Sequence, residues 1–480
     1  MKTEVSRTIG VIDTTLRDAH QCLWATRMTT AHMLPVADRM DNIGFERIDI
    51  AGTIQFDVCV RFLKENPWER IRRMREKLQK TPMSSFTRSK SLVSFDFVPD
   101  DIVELWVERL VANGCREIGT FDGLNDVDNM LVTIDAARRL GVRTIGAVAY
   151  GLSPVHTDDV YVKTATDLVT RGKVDAIWIK DAGGLLTVDR IRTLVPALRK
   201  AIGPVPIELH SHCMTGVAPL VYLEGILAGA DSVHTSIAPM ANGAAQPATQ
   251  STVQNLRAMG HRVDVDDELI EQVGEHFRRV AEQEGKPLGE VQEYDAFHYE
   301  HQLPGGMLAN FKVQLADLGM SHKFQQVLEE CAQVRKELGY PILITPFAQF
   351  VGTQAVMNVI HGERYRVVPD EVKKYALGYY GKLLAPVAPD VMDRIVANGS
   401  PTIPLQSSPL APAVDQLRRK YPGMSDDERV LHFMYAGNQV DLMLAGGPMK
   451  TGYEFEAPLV RLVRELAARK ISKVYFGAAD

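Results

Sequence analysis

The sequence predicts an α/β protein built on a (β/α)8 TIM barrel, followed by a mainly helical domain. Three observations predict it. Eight short strand-like runs occur in the first 260 residues, and longer amphipathic, helix-like stretches alternate with them. Eight strand-then-helix units in about 250 residues is the length of a closed parallel barrel. Polar residues cluster immediately after the strands, where such a barrel assembles its active site. An open, doubly wound sheet is the alternative, and the count of eight favours closure.

In order, the candidate strands are "TIGVID" (8–13), "FERIDI" (45–50), "MSSFTR" (83–88), "REIGTF" (116–121), "RTIGAVAY" (143–150), "VDAIWIK" (174–180), "PIELH" (206–210) and "DSVHTSI" (231–237). Helical patterns such as "PDDIVELWVERLVANG" lie between them. Pro99 and two aspartates open that helix and Gly114 closes it. The barrel is expected over 1–262 and a helical funnel domain over 263–385. A Pro/Ser-rich linker is expected over 386–413 and a last helical segment over 414–480.

The 480 residues are 45% hydrophobic and 24% charged, the balance of an ordinary soluble globular protein. A net charge of -6 argues against a nucleic-acid partner. No apolar run approaches the roughly 18 residues of a membrane span, and the N-terminus shows no secretory signal. Five scattered cysteines without a CxxC pair suggest reduced thiols in the cytoplasm.

The residues at the strand ends carry the chemistry. His210 and His212 in "IELHSHCMTG" lie two apart, so in a strand both imidazoles face one side, while Ser211 and Cys213 face the other. Such a pair alone is better explained by ordinary hydrogen bonding. Asp18, just past the first strand, adds a hard oxygen. Two histidines and a carboxylate suit Zn²⁺, Mn²⁺, Co²⁺ or Fe²⁺. His20 is a competing ligand, with a helix-start role as its plainer reading. Lys180 in "IWIKDAGGL" is repelled by a cation unless it is neutral or converted by CO₂ to an anionic carbamate; a salt bridge to Asp181 is the alternative. Arg17, Gln21 and Arg88 place two guanidiniums and an amide on the same rim. That suits a carboxylate-bearing 2-oxo acid whose keto oxygen a metal polarises.

"LRDAHQ", "ATRM", "NPWERI", "FDGLND", "SPVHT", "IKDAGGLL", "LHSHCMTG", "HQLPGGML", "ELGYPILITPFAQFVGTQAV" and "GERY" occur in order between residues 8 and 385. Together they resemble the carboxyltransferase component of biotin-dependent enzymes acting on pyruvate and oxaloacetate. That family includes pyruvate carboxylase, in one chain or as a separate carboxyltransferase subunit, the transcarboxylase subunit and the oxaloacetate decarboxylase alpha chain. The resemblance implies a metal-dependent carboxyltransferase, usually dimeric. Its metal ligands would be Asp18, carbamylated Lys180, His210 and His212, its pyruvate-binding residues Arg17, Gln21 and Arg88, and Asp57 would keep a catalytic position. It further implies a biotinyl carrier and a biotin carboxylase subunit as partners. "GGPMKTG" (446–452) lacks the second methionine of the carrier motif, so the biotin is expected on a separate protein.

The sequence departs from the family on the biotin side. Ala244 stands where the proton-shuttling threonine is expected, Gly119 in place of an arginine and Phe95 in place of a tyrosine. Alanine and phenylalanine carry no exchangeable side-chain proton, so Thr53, Ser89 or Ser91 would have to substitute. A biotin-independent, metal-dependent 2-oxo acid decarboxylase or lyase is therefore the alternative function, and a non-catalytic subunit a third.

Overall fold

The computed structural model describes residues 6–317 and 319–469. Eight parallel strands close into one barrel in chain order: β1 (Gly10–Asp13), β2 (Arg47–Gly52), β3 (Met83–Arg88), β4 (Glu117–Phe121), β5 (Arg143–Ala149), β6 (Ala176–Asp181), β7 (Ile207–Ser211) and β8 (Ser232–Thr235). β1 pairs with both β2 and β8, which closes the ring. Each falls within, or one or two residues from, its predicted run. Almost every strand residue is buried, because helices cover the outside and side chains fill the inside. That is why these runs read as continuous apolar stretches.

The helix punctuation holds. Asp100–Asn113 begins after Pro99 and stops at Gly114, whose φ of 129° is open only to glycine-like backbones. A Cβ there would also lie 2.9 Å from the Arg75 side chain.

After the barrel the described chain is helical. Helices Phe324–Glu337, Phe347–His361 and Asp370–Ala376 share a second core that includes Phe311, Val334, Phe347, Val351 and Tyr375. Ile342 and Ile344, from the turn between the first two, plug the barrel interior beside Phe86, Phe121, Ala147 and Trp178. The helical domain therefore sits directly over the mouth.

Two stretches differ from a plain linker and tail. Helix Pro389–Asn398 lies inside the region read as linker, and its Val391 and Ile395 are buried in the second core. One of the prolines that suggested a linker, Pro389, starts this helix, where a missing N–H costs nothing. The C-terminal segment folds back onto the barrel: Leu417, Val430, Leu431, Tyr435, Val440 and Met443 belong to the barrel's own core. Asp427 fastens it, accepting from Arg109 Nε at 2.7 Å, Arg72 Nη1 at 2.9 Å and Asn113 Nδ2 at 3.0 Å. Among the described residues no helix is long and apolar enough to cross a membrane.

Candidate active site

The barrel's C-terminal rim brings Asp18, His210 and His212 together. His210 lies on β7, opposite Lys180 of β6 in the parallel register. His212 follows the strand end, and Asp18 sits in a π-helical turn, Thr15–Ala19, just after β1. As the alternation required, Ser211 faces away and donates to Asp181 Oδ2 at 2.6 Å.

Asp18 Oδ2 is 3.1 Å from His210 Nε2 and 3.3 Å from His212 Nε2, and the two Nε2 atoms are 3.2 Å apart. Ligands about 2.0–2.2 Å from one small divalent cation lie about 3 to 3.5 Å from each other, so this triangle has the size of one face of a coordination shell. The hydrogens agree. His212 Nδ1–H donates to the Ala244 carbonyl oxygen at 2.6 Å, so a neutral His212 turns its Nε2 lone pair to the cluster. Burial alone would raise the Asp18 carboxyl, but the Arg17 guanidinium beside it holds it well below the ordinary carboxylate range.

Gln246 stands beside the triangle. Its Oε1 accepts from Thr14 Oγ1 at 2.9 Å and Ser236 Oγ at 3.1 Å, and its Nε2 donates to Asp18 Oδ2 at 3.0 Å. Cys22 Sγ lies 3.8 Å from His212 Nδ1 and forms a second group of donor atoms with Asp18 and His212.

Lys180 is buried and makes no ion pair with Asp181, which is occupied by Ser211 and the backbone of Leu185 and Leu186. Its Nζ lies over the rings of Trp178 (4.2 Å) and Phe121 (5.4 Å). Burial pulls its ammonium down to about 8, despite the pull of Asp18. A neutral amine is the form that reacts with CO₂.

Arg17 is clamped by two carboxylates, Asp49 Oδ2 at 2.7 Å and Asp18 Oδ1 at 2.9 Å, and its buried Nη2 has no partner. Arg88 donates from Nε to Leu92 O at 3.0 Å and from Nη2 to Val93 O at 2.8 Å, and its buried Nη1 also has no partner. Unpaired, buried guanidinium nitrogens are costly without a ligand; both fit a carboxylate. Gln21 accepts from Gln55 Nε2 at 3.3 Å, and Gln55 also donates to the Arg17 carbonyl at 2.9 Å. Asp57 is not brought to the cluster. It pairs with Arg61, one helical turn on, at 2.6 Å. His20 is also apart: it starts the helical turn His20–Leu23, buried, with neither ring nitrogen in hydrogen-bond geometry.

Asp49, Gln55, Trp178 and Gln246 escaped the sequence reading. Asp49 had a signal, being a carboxylate inside an apolar strand run. The others read as ordinary strand, helix and loop residues.

Residues 299–442 match the family model for the conserved carboxylase domain. A pyruvate carboxylase subunit of Methanocaldococcus jannaschii is 42% identical over 407 residues, covering 84% of this chain and 71% of that protein. The chain belongs to the carboxyltransferase family of biotin-dependent enzymes. The 2-oxoglutarate carboxylase large subunit of Hydrogenobacter thermophilus is 34% identical, covering 84% of this chain and 62% of that one. The carboxyltransferase domain of Rhizobium etli pyruvate carboxylase, solved with pyruvate, superposes with a TM-score of 0.83 at 26% identity, covering 92% of this chain and 77% of that one.

The three departures from the carboxyltransferase pattern have visible surroundings. At Gly119 a Cβ would sit 1.9 Å from Phe86 Cε1, so the Phe86 ring occupies the space into which an arginine there would grow. Phe95 is partly exposed, and its ring centroid lies 5.9 Å from Arg88 Cζ. Ala244 presents its carbonyl to His212 and has no hydroxyl to offer. Of the candidate substitutes, Thr53 accepts from Arg88 Nε at 3.2 Å, Ser89 donates to Asp122 at 3.0 Å, and Ser91 donates to the Phe95 carbonyl at 3.4 Å.

Proposed function

We propose that this carboxyltransferase moves a carboxyl group between biotin, carried on a separate protein, and a 2-oxo acid of the pyruvate or oxaloacetate class. Asp18, His210, His212 and carbamylated Lys180 would hold a divalent cation. The observation that carries this reading is the triangle of Asp18 Oδ2, His210 Nε2 and His212 Nε2, each within 3.3 Å of the others.

When bound, the cation supplies positive charge beside the keto oxygen of the acid, and biotin supplies or accepts the carboxyl group. The protein does the rest. Arg17, held in place by Asp49, and Arg88 offer their unpaired nitrogens to the acid's carboxylate. Gln21 stands on the same rim, steadied by Gln55. Ile342 and Ile344 close the barrel interior beside the site against water. With Ala244 unable to relay a proton, Ser89 is the hydroxyl whose partner can take one up, since it donates to Asp122, whose carboxyl burial pushes up to about 6. The partners would be a biotinyl carrier and a biotin carboxylase subunit, in a homodimer or larger assembly. The five cysteines are unpaired, which suits the cytoplasm.

The Phe86 ring in the arginine's place and the missing hydroxyl at Ala244 favour one second reading, decarboxylation of a 2-oxo acid without biotin. Assaying the purified chain on pyruvate, oxaloacetate and 2-oxoglutarate, with and without a biotinyl carrier, separates the two. Carboxyl exchange that requires the carrier and is blocked by avidin is expected. Avidin-insensitive turnover of oxaloacetate by the chain alone would replace the first reading with the second.

A further inference from the structure

We propose that His234, backed by Glu208 and Arg47, is a positioning residue that fixes the tautomer of His210 so that its Nε2 is bare and free for a cation. This rests on the metal reading above.

On the side of His210 away from the cluster, its Nδ1 lies 3.3 Å from His234 Nδ1. The other nitrogen of His234, Nε2, lies 3.2 Å from Glu208 Oε2. Glu208 is gripped by both terminal nitrogens of Arg47, at 2.7 and 2.5 Å. Arg47, Glu208, His210 and His234 are all completely buried. Bulk solvent does not reach these bonds, so their hydrogens can be counted among the side chains.

The count starts at Glu208. A carboxylate has no hydrogen to give, so its bond to His234 requires the hydrogen on His234 Nε2. A neutral imidazole has one N–H, and His234 Nδ1 is therefore an acceptor. His210 must then carry its own hydrogen on Nδ1 to meet it. That leaves His210 Nε2 bare, facing Asp18 Oδ2 at 3.1 Å and His212 Nε2 at 3.2 Å. The reverse order would have Arg47 Nη2, 3.3 Å away, donate to His234 Nε2. It would set a bare nitrogen against a Glu208 oxygen at 3.2 Å with nothing between them, whereas His210 Nε2 and Asp18 Oδ2, 3.1 Å apart, face each other across the proposed cation position, where both lone pairs are wanted.

Trp178 holds the two rings in place. It stacks on His234 at 5.0 Å with planes 12° apart, and meets His210 edge-on at 4.9 Å and 78°. His212 reaches the same state independently, through the Ala244 carbonyl. Both nitrogens of the triangle are thus prepared by a partner behind them, an arrangement that raises ligand basicity and orients the ring.

The test measures Zn²⁺ affinity by competition with a chromophoric chelator, on the full chain stripped of metal. His234→Phe keeps a ring against Trp178 but removes the acceptor, and should weaken Zn²⁺ binding about 10–100-fold. His234→Gln restores a carbonyl acceptor and should recover most of the loss. If His234→Phe fails to fold, ¹⁵N-histidine spectra of the metal-free wild-type chain decide, since His210 must show its hydrogen on Nδ1. Wild-type Zn²⁺ affinity in folded His234→Phe, or a hydrogen on His210 Nε2, overturns the proposal. His210→Ala distinguishes the two levels. If it loses Zn²⁺ while His234→Phe does not, only the relay fails. If His210→Ala binds Zn²⁺ as wild type does, the metal reading fails with it.

Discussion

Replacing Gly119 by alanine tests whether Phe86 really fills the volume of the missing arginine. The added Cβ would lie 1.9, 2.3 and 2.4 Å from three carbons of the Phe86 ring. Carbon atoms pack comfortably at about 3.5–4.0 Å, so the ring must retreat by about 1.5 Å. It has little room, because Trp178 meets it edge-on at a centroid distance of 4.2 Å. Overpacking of this kind costs about 1–3 kcal/mol, sometimes more. Phe86→Ala alone should cost about 3–5 kcal/mol through the cavity it opens. In the double variant the clash has no partner left, so its cost should equal that of Phe86→Ala by itself. The two single penalties should therefore fall short of additivity by about the whole cost of Gly119→Ala, a coupling of about 1–3 kcal/mol. The assay is denaturant unfolding of the four proteins followed by tryptophan fluorescence, since Trp178 reports on the contact. A Gly119→Ala protein as stable as wild type, or strictly additive penalties, would show that the ring does not occupy that space.

Three more outcomes are expected. Asp49→Asn loosens the Arg17 clamp, so the KM for the 2-oxo acid should rise about tenfold or more while Zn²⁺ content stays unchanged; a proportional loss of metal would place Asp49 in the cation site instead. Ala244→Thr supplies the absent hydroxyl, and carrier-dependent transfer should rise toward the factor of about 10²–10⁴ that a positioned proton donor contributes, with no effect on carrier-free turnover; an unchanged rate would mean that another group already relays the proton. The Asp13 carboxyl is pushed up to about 7 by burial, so the folded chain keeps a proton that the unfolded chain loses near 4. This group is neutral to stability below about pH 4 and destabilises as pH rises to about 7, by at most about 4 kcal/mol. Melting curves of Asp13→Asn should therefore gain on wild type from pH 4 to pH 7, and parallel curves would refute the shift.

The strand count, the helix ends at Pro99 and Gly114, and the rim position of Asp18, Lys180, His210 and His212 could all be read from the chain. Each depends on local rules: alternation, turn residues and the order of polar clusters along eight repeats. The i, i+2 spacing alone put His210 and His212 on one side and Ser211 on the other. What the sequence left open involved partners distant in the chain or competing within one helix. Asp57 looked equivalent to the other rim carboxylates, yet Arg61 on the following turn captures it. The prolines of 386–413 looked like a linker, yet a second core supplies enough apolar surface to hold a helix there.

By itself, the sequence determined the barrel, its rim and the kinds of side chain gathered there, because those follow from periodicities of two and of about 3.6 residues. Only the tertiary structure decided which partner stands behind each histidine, which carboxylate grips Arg17 and which ring fills the space beside Gly119. Those depend on side chains from β2, β3, β7 and β8 meeting inside one closed sheet. Hydrogen-bond partners separated by tens to hundreds of residues leave no local pattern to read.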